Sequence, residues 1–326
     1  MSNRVYIIAE IGINHEGDVE ACRRMIDSAV KSGANAVKLQ TIDADANYVK
    51  GTDSYKVFKA SELTRDETRS MFQYAQELDI DIFTTCGDLA TAKWIDELNP
   101  VAWKVSSGLL THIPMVRSLA SFNRPMLIST GMATIGEIDQ AISTIEEMGN
   151  NDITIFQCTS QYPTPPENVN LLNVLFLRER YRYDVGFSDH TIGNEAAFLA
   201  VGVGAKVIEK HFTFDSSRHG FDHAISLEAD EFSNMTNQIR NAEILLGSYE
   251  KTVNNITYKT RNSILRTVVA LCIIKKGDIF TSYNLGIKRP LPGKRGANPI
   301  HLDNIIGRVA KCSFNVDEPV NIGDIE

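Results

Sequence analysis

Eight short apolar, β-branched runs recur along the first part of this chain, and helical stripes separate most of them. The runs are 5–9, 36–39, 80–84, 102–105, 126–129, 153–157, 185–187 and 207–209. Between the first two, Val19, Cys22, Met25, Ile26, Ala29 and Val30 share one helix face and stop at Gly33. A second stripe, Ile135, Ile138, Ile142, Ile145 and Met148, starts at a Thr134-x-x-Glu137 capping box and ends at Gly149. A last one, Phe232, Met235, Ile239, Ala242 and Leu245, stops at Gly247. Each strand–helix–strand unit returns the chain parallel to itself. Eight such strands over about 250 residues predict an α/β protein built on a closed (β/α)8 barrel. An open doubly wound sheet is the alternative. The turn after the first run, Gly12-Ile13-Asn14-His15-Glu16-Gly17, lacks the Gly-x-Gly-x-x-Gly of a dinucleotide fold.

After Gly247 the composition changes. Residues 248–263 are polar without a sustained apolar period and read as a linker. Residues 264–326 read as short strands and turns, a small, mostly β domain too marginal to stand alone. Within it 274–279 faintly echoes 315–320, each a tight turn between apolar positions.

The formal net charge of -8 argues against a general nucleic-acid partner, so an anionic ligand must be held by local cations. Five scattered cysteines, none in a Cys-x-x-Cys spacing, suit a reducing cytoplasm rather than a disulfide scaffold or structural zinc. The first strand-like run begins at Val5, which leaves no room for a signal peptide, and no apolar stretch reaches membrane-spanning length. A cytoplasmic protein without a membrane partner is expected.

In a barrel, chemistry gathers where the strands end. Those positions here are Glu10, Lys38 with Gln40, Thr84-Thr85, Lys104 with Ser106 and Ser107, and Ser129-Thr130-Gly131. The rest are Gln157 with Thr159 and Ser160, Ser188 with His190, and Glu209 with His211. Strand alternation sets Ser188 and His190 inward and Asp189 outward, and likewise Glu209 and His211 inward and Lys210 outward.

Two histidines at consecutive strand ends, with Glu209 and Glu10 near, suit an open divalent-metal site. The alternative is that one of them only hydrogen-bonds within the rim, and spacing alone leaves both readings open. Lys38 and Lys104 interrupt apolar strands, so each should meet an anion. That anion is a bound carboxylate or phosphate, or Glu10 or Glu209 in a structural pair; a Schiff-base role is a third option. Ser107-Gly108 and Ser129-Thr130-Gly131 are ordinary turn material singly, but beside two lysines they suit a phosphate cradle. The residues therefore point to a metal-dependent barrel enzyme for a phosphorylated or carboxylated small molecule.

Six strings then resemble the sialic acid synthase family: 9–17 (AEIGINHEG), 37–41 (VKLQT), 129–132 (STGM), 158–163 (CTSQYP), 187–191 (FSDHT) and 209–213 (EKHFT). The end of the chain, with Lys288-Arg289-Pro290, 306–310 (IGRVA) and 323–326 (GDIE), resembles that family's antifreeze-like (SAF) domain. The resemblance implies condensation of phosphoenolpyruvate with an open-chain sugar aldehyde to a nine-carbon 3-deoxy-2-keto acid. It implies that His190 and His211 hold a divalent metal, usually Mn²⁺, with Mg²⁺ or Co²⁺ as alternatives. Lys38, Thr85, Lys104, Ser107, Ser129 and Ser188 match phosphoenolpyruvate-binding positions. Ser160 stands at another, where the family often has asparagine. Glu10 and Glu209 match acids near the reacting carbons, with the general base undecided between them. Gln40, Tyr162 and Asp222 match sugar-side positions. Arg289 matches an arginine presented to the partner subunit in a domain-swapped homodimer.

The chain departs from the family's usual strings at Cys86-Gly87, at Leu109 and at Ser160. The first two departures are expected near the sugar, which leaves the acceptor open among N-acetylmannosamine, mannose, legionaminic- or pseudaminic-type precursors and a phosphorylated sugar. The competing readings are a non-catalytic sugar- or phosphate-binding barrel and a lysine-dependent aldolase.

Overall fold

Strands β1 (Tyr6–Gly12), β2 (Ala36–Thr41), β3 (Asp81–Cys86), β4 (Trp103–Val105), β5 (Met126–Ser129), β6 (Ile153–Gln157), β7 (Asp184–Asp189) and β8 (Val207–His211) form one closed barrel in chain order. All neighbours are parallel, and β8 closes on β1 with His211 opposite Glu10. The computed structural model describes residues 4–326. The strands differ from the sequence expectation only at their ends. The expected stripes are the helices Val19–Lys31, Ile135–Glu147 and Ala229–Leu246, and the Thr134–Glu137 capping box forms.

The barrel interior is laid down in layers by strand alternation. One layer is apolar: Ile8, Ala36, Phe83, Ala102, Leu127, Phe156 and Val207, all buried. β7 contributes Gly186 at this level; a Cβ there would come within 2.8 Å of the Phe156 ring, so the glycine makes room for the phenyl group. Two residues further along each strand stand Glu10, Lys38, Thr85, Lys104, Ser129, Cys158, Ser188 and Glu209. The ionic layer thus rests on a buried apolar floor. Outward-facing side chains such as Ile7, Val37, Ile128 and Ile155 pack under the helices in the main hydrophobic core.

Two short helices that the sequence reading did not resolve, Ala44–Asn47 and Asp53–Ser61, follow β2. The chain divides into two compact units, Met1–Gly247 and Ser248–Glu326. The second contains an antiparallel pair, β9 (Thr267–Ala270) with β10 (Leu285–Lys288), and isolated bridges such as Ile274 to Phe314. Its core holds Val268, Phe280, Leu285, Phe314 and Val320. The internal echo is a repeated turn. Lys275 N donates to Asp278 Oδ2 at 2.7 Å, and Asn315 N donates to Glu318 Oε2 at 2.7 Å. The third residue of each turn is left-handed, Gly277 at φ 90° and Asp317 at φ 68°.

One correction concerns the segment read as a linker. Asn255–Ile264 is a helix, capped by the Asn254 side chain on Thr257 N. Its apolar residues Ile256, Tyr258 and Ile264 are 79%, 57% and 49% exposed. A helix that buries no stripe within its own chain carries no apolar period to read.

Candidate functional site

At the C-terminal ends of the strands lies a cavity of about 780 Å³. Glu10, Lys38, Gln40, Thr85, Lys104, Ser107, Ser129, Ser160, Tyr162, Ser188, His190, Glu209, His211 and Asp222 all line it. Fourteen residues that are scattered through the first unit's sequence therefore share one surface. Arg289 belongs to the second unit, where its exposed side chain donates from Nε to Ile264 O at 3.4 Å.

The cavity floor is an ionic cluster of two lysines and two glutamates. Lys104 Nζ donates to both oxygens of Glu209 at 2.7 Å, and Ser188 Oγ donates to Glu209 Oε1 at 2.8 Å. Lys38 Nζ lies 2.8 Å from Glu10 Oε2, 3.7 Å from Glu209 Oε2 and 3.4 Å from Thr85 Oγ1. Gln40 Nε2 donates to Glu10 Oε1 at 2.8 Å. Lys104 also stands 4.9 Å from the centroid of the Phe156 ring beneath it. Both lysines meet protein carboxylates, which was one of the two anions open to them.

Burial treats the two acids differently. Removal from water raises the Glu10 carboxyl, and the single close ammonium of Lys38 only partly offsets this, so its pKa is pushed up to about 7. Burial opposes ionisation of Glu209 as well, but Lys104 and Lys38 together hold it well below the usual carboxylate range. Burial pulls Lys104 down from its ordinary value. For Lys38 the same burial is outweighed by Glu10 and Glu209, which raise it.

The hydroxyl side is built for a ligand that takes hydrogen bonds. Ser129 Oγ is buried, lines the cavity and has no hydrogen-bond partner within the protein, so it is free to bond a ligand there. Gly131 N donates to Ser107 Oγ at 3.0 Å. A Cβ on Gly131 would approach Ser160 Oγ at 2.6 Å, Cys158 Sγ at 2.9 Å and Ser107 Oγ at 3.0 Å, so only glycine fits between them.

On another side of the cavity the imidazole centroids of His190 and His211 are 5.5 Å apart, and the Tyr162 ring lies 4.3 Å from the first and 6.3 Å from the second. Tyr162 precedes a cis Pro163. Thr159 O lies 2.8 Å from His190 Nδ1; with the proton assigned to Nδ1, Nε2 keeps its lone pair. His211 Nδ1 is buried without a hydrogen bond, and Asp222 Oδ2 stands 3.6 Å from it. Burial lowers both imidazoles, and His190 lowers His211 further, so both are neutral at pH 7. Burial likewise pushes the Asp222 carboxyl up to about 6, against the pull of Lys38.

Two neutral, close imidazoles, one with an orphaned nitrogen, fit a divalent cation with open coordination positions. Among the described residues no group of three or more His, Cys, Asp or Glu side chains gathers as a ready cation site. The carboxylates that the sequence reading set beside the histidines, Glu10 and Glu209, turn instead to the lysines.

Other rim expectations are corrected by side-chain direction. Thr84 Oγ1 faces Thr41, and Gln157 Nε2 donates to Val169 O, so neither reaches the cavity. Leu109 and Ser160 do line it, but Cys86 is buried in the hydrophobic core and Gly87 takes its place at the wall. Against Gly87 packs the Asn47 side chain, at a spot any Cβ would fill. The wall formed by Asn47, Tyr48, Asp53, Ser54, Val57 and Phe58 was missed altogether. Its signals are the caps: Asp43 accepts from Asp45 N and Ala46 N, and Thr52 accepts from Tyr55 N.

Residues 25–251 match the model of the NeuB family. The chain is 33% identical to the N,N'-diacetyllegionaminic acid synthase of Campylobacter jejuni, covering 97% of this chain and 98% of that protein. It is 31% identical to the pseudaminic acid synthase of the same species, over 99% and 97% of the two chains. The solved N-acetylneuraminic acid (sialic acid) synthetase of Leptospira borgpetersenii superposes with a TM-score of 0.76 at 29% identity, over 80% of this chain and 92% of that one.

Proposed function

This chain belongs to the NeuB family, and from that premise we propose that it condenses phosphoenolpyruvate with the aldehyde of an open-chain N-acetylated hexosamine of the N-acetylmannosamine type. The product is a nine-carbon, sialic-acid-like 3-deoxy-2-keto acid, with release of inorganic phosphate. The observation that carries this reading is the buried Lys38–Lys104–Glu10–Glu209 cluster beside the unpartnered Ser129 hydroxyl.

Phosphoenolpyruvate brings a phosphate and a carboxylate, and the two ammonium groups with the hydroxyls of Thr85, Ser107, Ser129, Ser160 and Ser188 supply its partners. Gln40, Tyr162 and Asp222 line the remaining wall, where the sugar binds. A divalent metal, most readily Mn²⁺ with Mg²⁺ or Co²⁺ as alternatives, held by His190 and His211, would supply Lewis-acid polarisation of the aldehyde oxygen. The enol carbon bonds to the aldehyde carbon, and positive charge develops at the carbon bearing the phosphate. Glu209, kept ionised by its lysines, stabilises that charge. Water adds there and gives up a proton to Glu10, whose raised pKa suits a base working near neutrality. That proton passes to the former aldehyde oxygen, which becomes a hydroxyl; the carbon–oxygen bond to phosphate then breaks as the remaining hydroxyl proton leaves with the departing phosphate, giving the ketone.

The proposal extends to a domain-swapped homodimer in which the second unit is antifreeze-like and Arg289 of one copy serves the other; the resemblance of 288–290, 306–310 and 323–326 to the family's SAF domain supports it. No described helix is long and apolar enough to cross a membrane. One observation favours a second reading: burial lowers Lys104, as a Schiff-base lysine requires. Borohydride trapping of a substrate adduct on Lys104 would establish that aldolase.

The test is phosphate release from phosphoenolpyruvate across a panel of N-acetylated hexosamines with Mn²⁺. Release with at least one sugar is expected, with loss on chelation and no rescue by Mn²⁺ in a folded His211→Ala variant. No release with any sugar overturns the synthase.

A further inference from the structure

The loops that follow β1 and β8 are locked together, and the lock converges on the backbone of Asp222. Asn14, 1% exposed, uses its amide fully. Its Nδ2 donates to Phe212 O at 3.0 Å and to Ser226 Oγ at 2.9 Å, and its Oδ1 accepts from Asp222 N at 3.1 Å. Ser226 Oγ in turn donates to Asp222 O at 2.7 Å. Both backbone polar groups of Asp222 are therefore tied to Asn14, one directly and one through Ser226.

A second arm fixes the next residue. His223 is fully buried between Thr213 Oγ1, 2.8 Å from Nδ1, and Glu16 Oε1, 2.9 Å from Nε2. Glu16 Oε2 also accepts from Arg218 at 2.6 Å. The preceding residue, Phe221, sits at φ 51°, a left-handed conformation unfavourable for a bulky side chain. Such strain persists only where the surroundings over-determine the backbone, and it gathers at functional sites. Here it aims Asp222 at the cavity wall beside His211.

We propose that Asn14 is a positioning residue for the sugar end of the site, acting by holding Asp222 in place. This rests on the reading of Asp222 as a sugar-side residue. An aspartate at position 14 has the same shape but lacks both amide donors, so it breaks the links to Phe212 and Ser226 with little change in volume.

The experiment is a mutant cycle of Asn14→Asp and Asp222→Ala in the full chain, with KM measured separately for sugar and for phosphoenolpyruvate. Asn14→Asp should raise the sugar KM about tenfold and leave the phosphoenolpyruvate KM within about twofold. The double variant should be no worse than Asp222→Ala, because the two act as one unit. Ser226→Ala, a milder change, should shift the sugar KM the same way if Asn14→Asp does not fold. Amide exchange at Asp222, which needs no substrate, should quicken in an Asn14→Leu variant, which also removes the acceptor of Asp222 N that an aspartate would keep. An Asn14→Asp enzyme in which both KM values rise together, or additive effects in the cycle, overturns the proposal. Unchanged exchange at Asp222 in Asn14→Leu also overturns it. If Asp222→Ala leaves the sugar KM unchanged, the sugar-side assignment falls and the positioning role falls with it. If wild-type protein turns over no sugar, the synthase reading fails, while exchange still decides whether Asn14 holds Asp222.

Discussion

Lys210 Nζ and Asp189 Oδ2 lie 3.0 Å apart with no solvent exposure on either side chain, and each immediately precedes one of the two cavity histidines. The two residues are register partners on β7 and β8. Lys210 also donates to Thr191 O at 2.6 Å, and Asp189 accepts from Thr191 N at 2.8 Å. The pair thus ties the ends of both strands from the side away from the cavity.

Removing one partner leaves the other charge buried and unpaired. Lys210→Met should cost about 3–5 kcal/mol of unfolding free energy, measured by urea denaturation. A loss below about 1 kcal/mol would show that water reaches the pair.

The Lys104–Glu209 contact makes an opposite prediction for ligand binding and turnover. Glu209 occupies the Lys104 ammonium that the proposed mechanism offers to phosphoenolpyruvate. Glu209→Gln should bind phosphoenolpyruvate about tenfold more tightly by calorimetry, the worth of one charge-assisted contact. Turnover should fall on the order of 100-fold or more, because the stabilising charge is gone. Equal affinity in variant and wild type would mean that Glu209 does not compete for Lys104.

At Gly131 three side chains stand within 3.0 Å of where a Cβ would lie. Gly131→Ala should destabilise by about 1–3 kcal/mol through overpacking and raise the phosphoenolpyruvate KM more than the sugar KM. A KM change confined to the sugar would place these hydroxyls on the wrong substrate.

His15 sets a pH dependence of stability. Burial lowers its pKa from 6.5 to about 4, against Asp18 and Glu16, which act to raise it. The unfolded chain takes up the proton near pH 6.5, whereas the folded protein resists until about pH 4. Stability from this group is therefore full above pH 6.5 and declines as pH falls towards 4, by about 3 kcal/mol in total. The difference between the urea-derived stability curves of wild type and His15→Gln should slope across that window and be flat above it.

Much of this was legible from local patterns. Thr134-x-x-Glu137 marks a helix start because the cap is made within four residues, and 126–129 and 153–157 read as strands because β-branched apolar runs have few other uses. The alternation that set Ser188 and His190 against Asp189 held because a pleated strand offers only two directions. The same alternation holds on β3, where Phe83 and Thr85 face inward while Thr84 meets Thr41 and Cys86 turns into the core, so grouping Thr84 with Thr85 at the rim overlooked a direction the pleat already dictates. The Asn254-capped helix escaped because nothing in its sequence is spaced for burial.

The sequence by itself determined the barrel, its order of elements and the residues offered at its rim, because these follow from periodicity and capping within short windows. Only the tertiary structure decided which charges meet. Glu10 and Glu209 are the same residue type at neighbouring strand ends, yet burial with a single close lysine pushes one up from the usual carboxylate range, while two lysines keep the other ionised. Asn14 and Asp222 are joined although more than two hundred positions separate them. Such contacts depend on distances of a few ångströms between residues remote in sequence, and those distances exist only once the barrel has closed.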